Sequence, residues 1–419
     1  MTTIAKEMKE LARKGKKASR VLQSITHEQR KEILMAIAHN LRINKTDIKH
    51  ANAKDLAAAK EMDLNSALLD RLELNDDRID GMIKGVEEIA EQPEVVNSFS
   101  HEFTNEAGLT IKRQRVPLGV ILMIFESRPN VVVDCAALAL KSSNAIILKG
   151  GKEAKHSNEI LGNIIQTSIE KFIPKETVQV LASDQRELVN ELLNEKENID
   201  VVIPRGGHRL IEFVSENAKM PVIAHYNGLC HMYIDNKADL KKASDLVINA
   251  KTQRTGVCNA IESLLVHKDV LNEFAPHITK ELQAKSCEIR ADKTFIESAN
   301  TKLTEATEQD WDTEYLDNIL SIKTVSNIDE AIDHISKHGS FHTEVIVSED
   351  AENQNRFLNQ VDASCVMINA SSRFNDGGQL GLGAELGIST TKIHAYGPMG
   401  AEQMTTSRYV VVGDGHIRA

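Results

Sequence analysis

Apolar residues recur at helical spacing through the first 92 residues of the chain. A first stripe runs from Ile4 to Ala12 with three- and four-residue steps. Thr26 and Gln29 stand at capping-box spacing, which predicts a helix start at residue 27. The same pattern continues to residue 92, so residues 3–92 are predicted to be helical.

The hydrophobic period changes near residue 108. Residues 109–116 alternate roughly between apolar and polar, as a half-exposed strand does. Pro117 and Gly119 interrupt this segment. Residues 120–125 are then continuously apolar, which predicts a strand covered on both faces.

Short apolar strands and helices alternate after this point, which predicts parallel sheets with helices on both faces. The first series has strands 120–125, 145–148, 178–181, 199–203 and 221–224, and helices 130–141, 157–172, 185–195 and 207–217. The second series has strands 231–235, 263–267, 288–290, 319–325, 343–348 and 365–369, and helices 238–252, 270–285, 327–338 and 351–361.

The end of the chain differs from both series. Residues 370–400 are glycine-rich and irregular, and residues 406–413 are predicted to form a strand. An unpaired terminal strand invites aggregation, so this strand needs a partner. Strand 109–116 and another subunit are both candidates.

Composition indicates a globular protein of about two to three domains. Of its 419 residues, 41% are hydrophobic and 26% are charged, and the net charge of −11 argues against nucleic acid as the main partner. No apolar run approaches the length of a membrane span. The five cysteines are scattered, with no CxxC pair, so neither a disulfide framework nor a zinc site is predicted. A reducing cytoplasm is the compartment that we expect.

Cys258 is the first candidate for chemistry. It lies two residues after Gly256, between a predicted helix and a predicted strand, where the backbone can approach a ligand closely. By itself, a cysteine in this position is equally compatible with a small buried core residue.

Polar and charged residues collect where the predicted strands end. Lys149 and Lys152 follow one strand, and Gly206 and Gly207 follow another and open a helix, where backbone N–H groups favour an anion. Ordinary solvated lysines and an ordinary strand–helix turn explain these patterns equally well. The turn 126–130 follows the buried strand, and its polar side chains could hydrogen-bond a reacting carbonyl.

Two further patterns carry no chemistry. His334, His338 and His342 are spaced by four residues, but no acidic ligand stands at a clear spacing, so no metal is expected. The glycines between Gly381 and Gly387 lack the spacing and the preceding strand of a dinucleotide fingerprint.

Taken together, these motifs resemble the aldehyde dehydrogenase superfamily in order and in spacing. They are FESRPNV at 125–131, LKGGKEA at 148–154, PRGG at 204–207, TQRTGVCNA at 252–260, DWDTEYLD at 310–317, SRFNDG at 372–377, GLGAELGIS at 381–389 and TSRY at 406–409. The resemblance runs from about residue 108 to the end, and the helical first hundred residues fit only in length.

The resemblance implies an α/β fold with two doubly wound parallel-sheet domains and a small β oligomerisation arm. The implied cofactor-binding domain is 1–106 with 118–229, the catalytic domain is 230–395, and the arm is 107–117 with 396–419. A homo-oligomer is therefore expected.

The resemblance also implies roles for site residues. Cys258 matches the nucleophile and Lys149 the lysine that holds the adenosine ribose. Gly206 and Gly207 match the turn near the pyrophosphate, and Glu314 matches the glutamate that holds the nicotinamide ribose. Lys152 stands where NAD-preferring relatives often carry an acidic residue, so the implied cofactor is NADP(H).

The sequence departs from the wider superfamily at two positions. The oxyanion asparagine falls on Ser127, with Asn130 three residues later, so either side chain could serve. The glutamate that activates water for hydrolysis falls on His225. An enzyme that releases an aldehyde does not hydrolyse its thioester, so we expect it to lack this base.

The implied reaction is reduction of L-glutamyl 5-phosphate to L-glutamate 5-semialdehyde through a thioester on Cys258. Arg128, Arg254 and Arg373 are candidates to hold the anionic groups of the substrate, because arginine binds carboxylate and phosphate bidentately. Handover of the acyl phosphate from glutamate 5-kinase is a further expectation. The alternatives are an oxidising or acylating aldehyde dehydrogenase with another substrate, and a non-catalytic protein of the same fold.

Overall fold

The computed structural model describes residues 2–64, 66–183, 185, 187–224 and 227–418. The α-helices in these ranges are α1 (Thr3–Leu22), α2 (His27–Ile43), α3 (Lys45–Glu61), α4 (Ser66–Leu72), α5 (Asp76–Glu91), α6 (Asn130–Lys141), α7 (Lys155–Ile169), α8 (Glu187–Leu193), α9 (His208–Asn217), α10 (Leu240–Thr252), α11 (Leu271–Ala284), α12 (Lys293–Ala299), α13 (Ile328–His338) and α14 (Ala351–Gln360).

The strands are β1 (Phe99–Thr104), β2 (Thr110–Pro117), β3 (Val120–Phe125), β4 (Ala145–Lys149), β5 (Val178–Leu181), β6 (Val201–Arg205), β7 (Cys230–Ile234), β8 (Ile261–His267), β9 (Glu288–Ala291), β10 (Thr304–Glu305), β11 (Ile319–Val325), β12 (Thr343–Val347), β13 (Cys365–Ile368), β14 (Ile388–Ser389), β15 (Gly397–Pro398) and β16 (Thr405–Val412). Short 3₁₀ turns lie at Lys152–Ala154, Lys175–Thr177, Lys268–Val270, Glu308–Asp312, Ser372–Phe374 and Glu402–Met404.

The helical first part of the chain is confirmed, and it packs on the first parallel sheet. Helix α2 begins with the predicted capping box, in which Thr26 Oγ1 accepts from the Gln29 amide at 3.2 Å and Gln29 Oε1 accepts from the Thr26 amide at 2.9 Å. Apolar residues of α2 and α5 share one core with residues of β3, β4 and α6. Burial of this amphipathic face, rather than helix propensity, stabilises these helices.

The first parallel sheet has the strand order β5-β4-β3-β6. Strand β3 is central and fully buried, as its continuous apolar sequence predicts. Ile124 pairs with Lys149 of β4, and Phe125 pairs with Arg205 of β6. The carboxyl ends of three strands therefore meet at one edge, where open α/β sheets bind ligands.

The second parallel sheet has the strand order β10-β9-β11-β8-β7-β12-β13. Its central strand β8 follows Cys258 directly and lies between β7 and β11. All seven residues of β8 are buried, so the chain that leads into it has a fixed position at the sheet edge. This second sheet confirms the predicted doubly wound architecture.

A separate antiparallel sheet has the order β1-β2-β16. Strand β16 pairs with β2 along its whole length, from Thr405 opposite Pro117 to Val412 opposite Thr110. The terminal strand therefore finds its partner in strand 109–116 of the same chain. Strand β1 was not predicted from the sequence. All six of its residues are exposed, so burial does not alternate along the strand.

One predicted strand is wrong. Residues 221–224 form only an isolated bridge between Val222 and Val202 of β6. Pro221 has no amide hydrogen to donate, so a regular ladder cannot run through it.

Every helix in the described ranges is too short or too polar to span a lipid bilayer.

Gly119 immediately precedes β3 and is the first position where we predict a change in stability. Its φ of +125° disfavours any side chain, and a Cβ there would overlap the Asp200 carboxylate. That carboxylate cannot easily move, because it accepts from the Val120 amide at 2.7 Å and pairs with Lys16 at 2.6 Å. Gly119→Ala should lower the free energy of unfolding by about 2 kcal/mol, measured by urea denaturation.

Gly81→Ala is the matched control. Gly81 lies in α5, and the Cβ of an alanine there would meet no heavy atom within 4 Å, so the substitution should be neutral or stabilising. Equal stability of Gly119→Ala and the wild type would contradict the assignment of Gly119 as a strained position.

Candidate active site

Cys258 lies in the loop between α10 and β8, and strand β7 supports this loop. Its carbonyl oxygen accepts from Cys230 Sγ at 3.1 Å. Gly228 lies directly against it, since a Cβ on Gly228 would be 2.5 Å from Cys258 Cβ. A side chain at position 228 would therefore displace the cysteine.

Asn259 anchors the same loop from the other side. Its Nδ2 donates to the Asn375 carbonyl at 2.9 Å, and Ser372 Oγ donates to its carbonyl at 2.6 Å. All three residues are buried. The segment 372–377 therefore holds the cysteine loop in place, a role that the sequence did not reveal for Asn259.

A buried ion pair fixes both ends of the loop. Lys251 at the end of α10 contacts Glu262 of β8 at 2.5 Å, and neither side chain is more than 1% exposed. The second oxygen of Glu262 accepts from the Leu316 amide at 3.1 Å. Burial raises the pKa of Glu262, and the Lys251 ammonium opposes that shift. The sequence did not indicate this pair, because Glu262 lies directly before the predicted strand 263–267 and was not expected to be buried.

The environment of Cys258 keeps its thiol protonated. Burial raises the pKa of Cys258 to about 12, and the carboxylates of Glu385 and Glu314 act in the same direction. The guanidinium groups of Arg205 and Arg128 oppose the shift. A thiolate at this position therefore depends on the balance of charge around it.

Glu314 reaches the same place from the loop before β11. Its Oε1 accepts from the Gly228 amide at 3.0 Å, and Gly228 in turn packs against Cys258. Burial raises the pKa of the Glu314 carboxyl group. The structure thus brings together two residues, Cys258 and Glu314, that are far apart in the sequence.

The two oxyanion candidates, Ser127 and Asn130, lie in the turn after β3 and differ in their hydrogen bonds. Ser127, with φ of +44°, donates both its amide and its hydroxyl to Glu153 Oε1, at 2.6 and 2.7 Å. Asn130 Nδ2 donates one hydrogen to Asp134 Oδ2 at 2.8 Å. The hydroxyl hydrogen of Ser127 is therefore in use, whereas the amide of Asn130 has a second hydrogen.

A cavity of about 390 Å³ opens beside this turn. Its charged and polar lining residues are Asp70, Arg71, Glu73, Arg78, Arg128, Asn130, Asp134, Arg205, Arg254, Asp376 and Glu385. Arg71 Nη2 donates to the Gly256 carbonyl at 2.7 Å, so the cavity reaches the cysteine loop. Ser127 is not among the residues that line it.

Of the three predicted substrate arginines, two line this cavity. Arg128 forms no hydrogen bond or ion pair with any residue in the described ranges. Burial and the neighbouring Arg205 and Arg71 lower the pKa of Arg128 to about 10. Arg254 is 3.4 Å from an Asp70 carboxylate oxygen. Arg205 and Arg71 are cavity cations that the sequence analysis did not single out.

Arg373 lies away from the cavity wall. Its Nε donates to Gln253 Oε1 at 2.7 Å, at the end of α10. Burial lowers the pKa of Arg373, while Asp376 opposes this shift. It is close enough to the cysteine loop for the Cys258 charge to affect its titration.

Four of the five predicted cofactor residues lie at the carboxyl edge of the first sheet, where Lys149 and Lys152 follow β4 and Gly206 and Gly207 follow β6. Lys149 is buried and donates to the Gly150 carbonyl at 2.6 Å, and Lys152 is exposed. Gly207 is the N-cap of α9, and its amide donates to Glu126 Oε2 at 2.8 Å. The Glu126 carboxylate therefore occupies this helix N-terminus, a position that favours an anion.

The histidines spaced by four residues do not surround a common centre. The rings of His334 and His338 are 4.5 Å apart, and His338 Nδ1 donates to Asp312 at 2.6 Å. In the described part of the chain, no group of three or more potential ligands is arranged to hold a metal. His225, predicted at the position of the hydrolytic base, lies outside the described residues.

The chain is similar to known proteins of one family. The family model described as "Aldehyde dehydrogenase family" matches residues 2–302. Gamma-glutamyl phosphate reductase from Clostridium tetani is 48% identical over 416 residues, which cover 97% of each chain. The reductase of the same name from Geotalea daltonii is 45% identical and covers 99% of this chain and 100% of that protein.

Solved structures extend the comparison to the fold. The crystal structure of gamma-glutamyl phosphate reductase from Thermotoga maritima superposes with a TM-score of 0.95 at 44% identity, over 99% of this chain and 100% of that chain. An acetylating aldehyde dehydrogenase from Geobacillus thermoglucosidasius, 17% identical, shares the fold with a TM-score of 0.71 over 99% of this chain and 98% of that chain. The chain therefore belongs to the aldehyde dehydrogenase family and, within it, to the gamma-glutamyl phosphate reductases.

Proposed function

We propose that the protein uses NADPH to reduce L-glutamyl 5-phosphate to L-glutamate 5-semialdehyde and phosphate, the second step of proline biosynthesis. The observation that carries this proposal is the juxtaposition of Cys258, Gly228 and Glu314 beside an arginine-lined cavity. The full-length similarity to proteins named gamma-glutamyl phosphate reductase supports the choice of substrate.

Arg128 supports an anionic substrate. A half-buried guanidinium without a partner has lost part of its hydration, so a site that contains one favours a ligand carboxylate or phosphate. Arg128 has no such partner in the described ranges, and it lines the cavity together with Arg254. Arg373 is the weaker of the three candidates, since it binds Gln253 outside the cavity lining.

In the proposed reaction, the Cys258 thiolate forms a C–S bond with the acyl carbon, and the bond to the phosphate oxygen breaks. The Cys258 amide and the free amide hydrogen of Asn130 stabilise the oxyanion. Asn130 is the better of the two side-chain candidates, because the hydroxyl hydrogen of Ser127 is donated to Glu153. The product of this step is a thioester on Cys258 and free phosphate.

The residues at the edge of the first sheet fit NADP(H). Lys149 and the N-terminus of α9 would hold the ribose and the pyrophosphate, and Glu314 would accept from the nicotinamide ribose hydroxyls. Exposed Lys152 offers a cation for a 2′-phosphate. When bound, the nicotinamide supplies the hydride that reduces the acyl carbon. The C–S bond to Cys258 then breaks, which frees the aldehyde and restores the thiolate.

Activation of Cys258 requires removal of a proton from a thiol of raised pKa. Glu385 and Glu314 are the carboxylates whose charge raises the pKa of Cys258, and burial raises the pKa of both. We infer that one of them accepts the proton as substrate binds. The guanidinium groups of Arg128 and Arg205 then stabilise the thiolate.

The antiparallel sheet supports a homo-oligomer. β16 is an edge strand of this sheet, and Tyr409, Val411 and Val412 on it are each more than half exposed. Exposed apolar residues on a sheet edge favour pairing with another chain. The sheet therefore remains our proposed oligomerisation arm in a cytoplasmic enzyme, and β1 extends this arm to Phe99–Thr104, beyond the limits 107–117 and 396–419 expected from the sequence.

One assay tests the proposed reaction in reverse. The protein is incubated with NADP⁺, phosphate and L-glutamate 5-semialdehyde, and NADPH is followed by absorbance. We expect phosphate-dependent NADPH formation, and a loss of at least about 10³-fold in Cys258→Ala because the covalent step is removed. Cys287→Ala, which changes a buried cysteine outside the cavity lining, is the control that should retain activity. Equal rates without phosphate would instead indicate an oxidising dehydrogenase.

The raised thiol pKa predicts the pH dependence of Cys258 alkylation. Since the thiolate is the reactive form, the rate with iodoacetamide should rise about tenfold per pH unit from pH 7 to pH 10, without a plateau. Rates are measured by mass spectrometry of the peptide that contains Cys258. The urea-unfolded chain is the reference, and its rate should level off above pH 8.5, near the pKa of about 8.5 for a free cysteine. A plateau below pH 9 in the folded protein would contradict a raised pKa.

Lys152 should determine the choice between NADP and NAD. Lys152→Glu places a negative charge where we propose the 2′-phosphate binds, so KM for NADP⁺ should rise about tenfold or more, with KM for NAD⁺ little changed. Lys155→Glu makes the same charge change three residues later, on the exposed start of α7. If both substitutions raise KM for NADP⁺ equally, the added negative charge acts at long range, and the result would contradict a direct contact between Lys152 and the cofactor.

A further inference from the structure

Asp134 carries a carboxylate that the mechanism above does not use. It lies in α6, one helical turn after Asn130, and it lines the same cavity as Arg128. Its Oδ2 accepts from Asn130 Nδ2 at 2.8 Å, and no cation in the described ranges forms an ion pair with it. The carboxylate therefore has one neutral donor and no counter-charge.

Several charged groups around the cavity form ion pairs, whereas Arg71 donates to the Gly256 carbonyl and Asp376 accepts from backbone amides. Arg78 contacts Asp70 at 2.6 Å, and Arg205 is 3.6 Å from a Glu385 carboxylate oxygen. Within the described ranges, neither Asp134 nor Arg128 forms an ion pair, although the two line one cavity. A site with an unpaired anion and an unpaired cation is complementary to a zwitterion.

The electrostatic environment of Asp134 agrees with this interpretation. Burial raises the pKa of Asp134 to about 6, the Asn130 hydrogen bond and Arg205 oppose the shift, and Glu385 reinforces it. Burying a carboxylate without a cation is unfavourable, and a bound ammonium would offset that cost.

We propose that Asp134 binds the α-ammonium group of the amino-acid substrate and selects against chains that lack it. This inference rests on the proposed function. In an extended glutamyl chain, four bonds separate the reacting carbon from the amine nitrogen, a span of about 5 Å. Asn130 and Asp134 are four residues apart on α6, which corresponds to a rise of about 6 Å along the helix. Asn130 at the oxyanion and Asp134 at the ammonium therefore match the two ends of this substrate.

Asp134→Asn tests the charge without removing the contact to Asn130, since the asparagine oxygen can still accept from Asn130 Nδ2. The reverse reaction is measured with L-glutamate 5-semialdehyde and with 5-oxopentanoate, the same chain without the amine. For the variant, kcat/KM should fall about 10- to 100-fold with the amino substrate, the range for losing a hydrogen bond to a charged group. It should change little with 5-oxopentanoate. Each enzyme receives the same substrate solutions, so cyclisation of the semialdehyde cancels between enzymes.

Asp376→Asn is the matched control. Asp376 lines the same cavity, but its Oδ1 accepts from the amides of Gly378 and Gln379. This variant should leave the ratio of the two kcat/KM values unchanged.

The outcomes separate the inference from the proposed function. Equal losses with both substrates in Asp134→Asn would overturn the ammonium assignment, because they would mean that Asp134 acts only through Asn130 or through the fold. An unchanged ratio with undiminished activity would overturn it as well. Failure of the wild-type protein to form NADPH from L-glutamate 5-semialdehyde and phosphate would overturn the proposed function itself.

Discussion

The buried contact between Lys251 and Glu262 is the interaction on which the active-site geometry depends. It closes the loop that carries Cys258 by joining the end of α10 to the start of β8. The second oxygen of Glu262 also accepts from the Leu316 amide, two residues after Glu314. Breaking one side of a buried ion pair typically costs about 3–5 kcal/mol, because the remaining charge has no partner. The same contact therefore sets the relative positions of the nucleophile and the proposed ribose-binding carboxylate.

The two parallel sheets supply the charges that surround this loop. The ends of β3, β4 and β6 contribute the turn with Asn130, the lysines at Lys149 and Lys152, and Arg205. In a parallel sheet all carboxyl ends face the same edge, so residues from separate segments converge without a long-range sequence signal. The second sheet places Cys258 opposite them. The chemistry thus arises where the edges of the two sheets face one cavity.

Charge balance in that cavity connects recognition with catalysis. Arg128, which would bind the anionic substrate, also favours the Cys258 thiolate, whereas Glu314 and Glu385 favour the thiol. A nucleophile with a raised pKa in the free protein becomes reactive when substrate and proton transfer change this balance. The cysteine of the free enzyme is therefore an unreactive thiol, and it becomes a reactive thiolate only when substrate is bound.

The sequence by itself determined most of the longer elements and the candidate nucleophile. Continuous apolar runs indicated β3 and β8, helical periodicity indicated α1 and α2, and the motifs around Cys258 indicated the family, because these signals are local in the chain. Tertiary structure alone decided which charges are paired. Glu262 appeared to be a strand boundary and Asp134 an ordinary helical residue until burial and cavity lining showed otherwise. Within the described ranges, Arg128 and Asp134 form no ion pair, and the Ser127 hydroxyl donates to Glu153. These facts depend on distances between residues that are far apart in the sequence, and no local pattern encodes such distances.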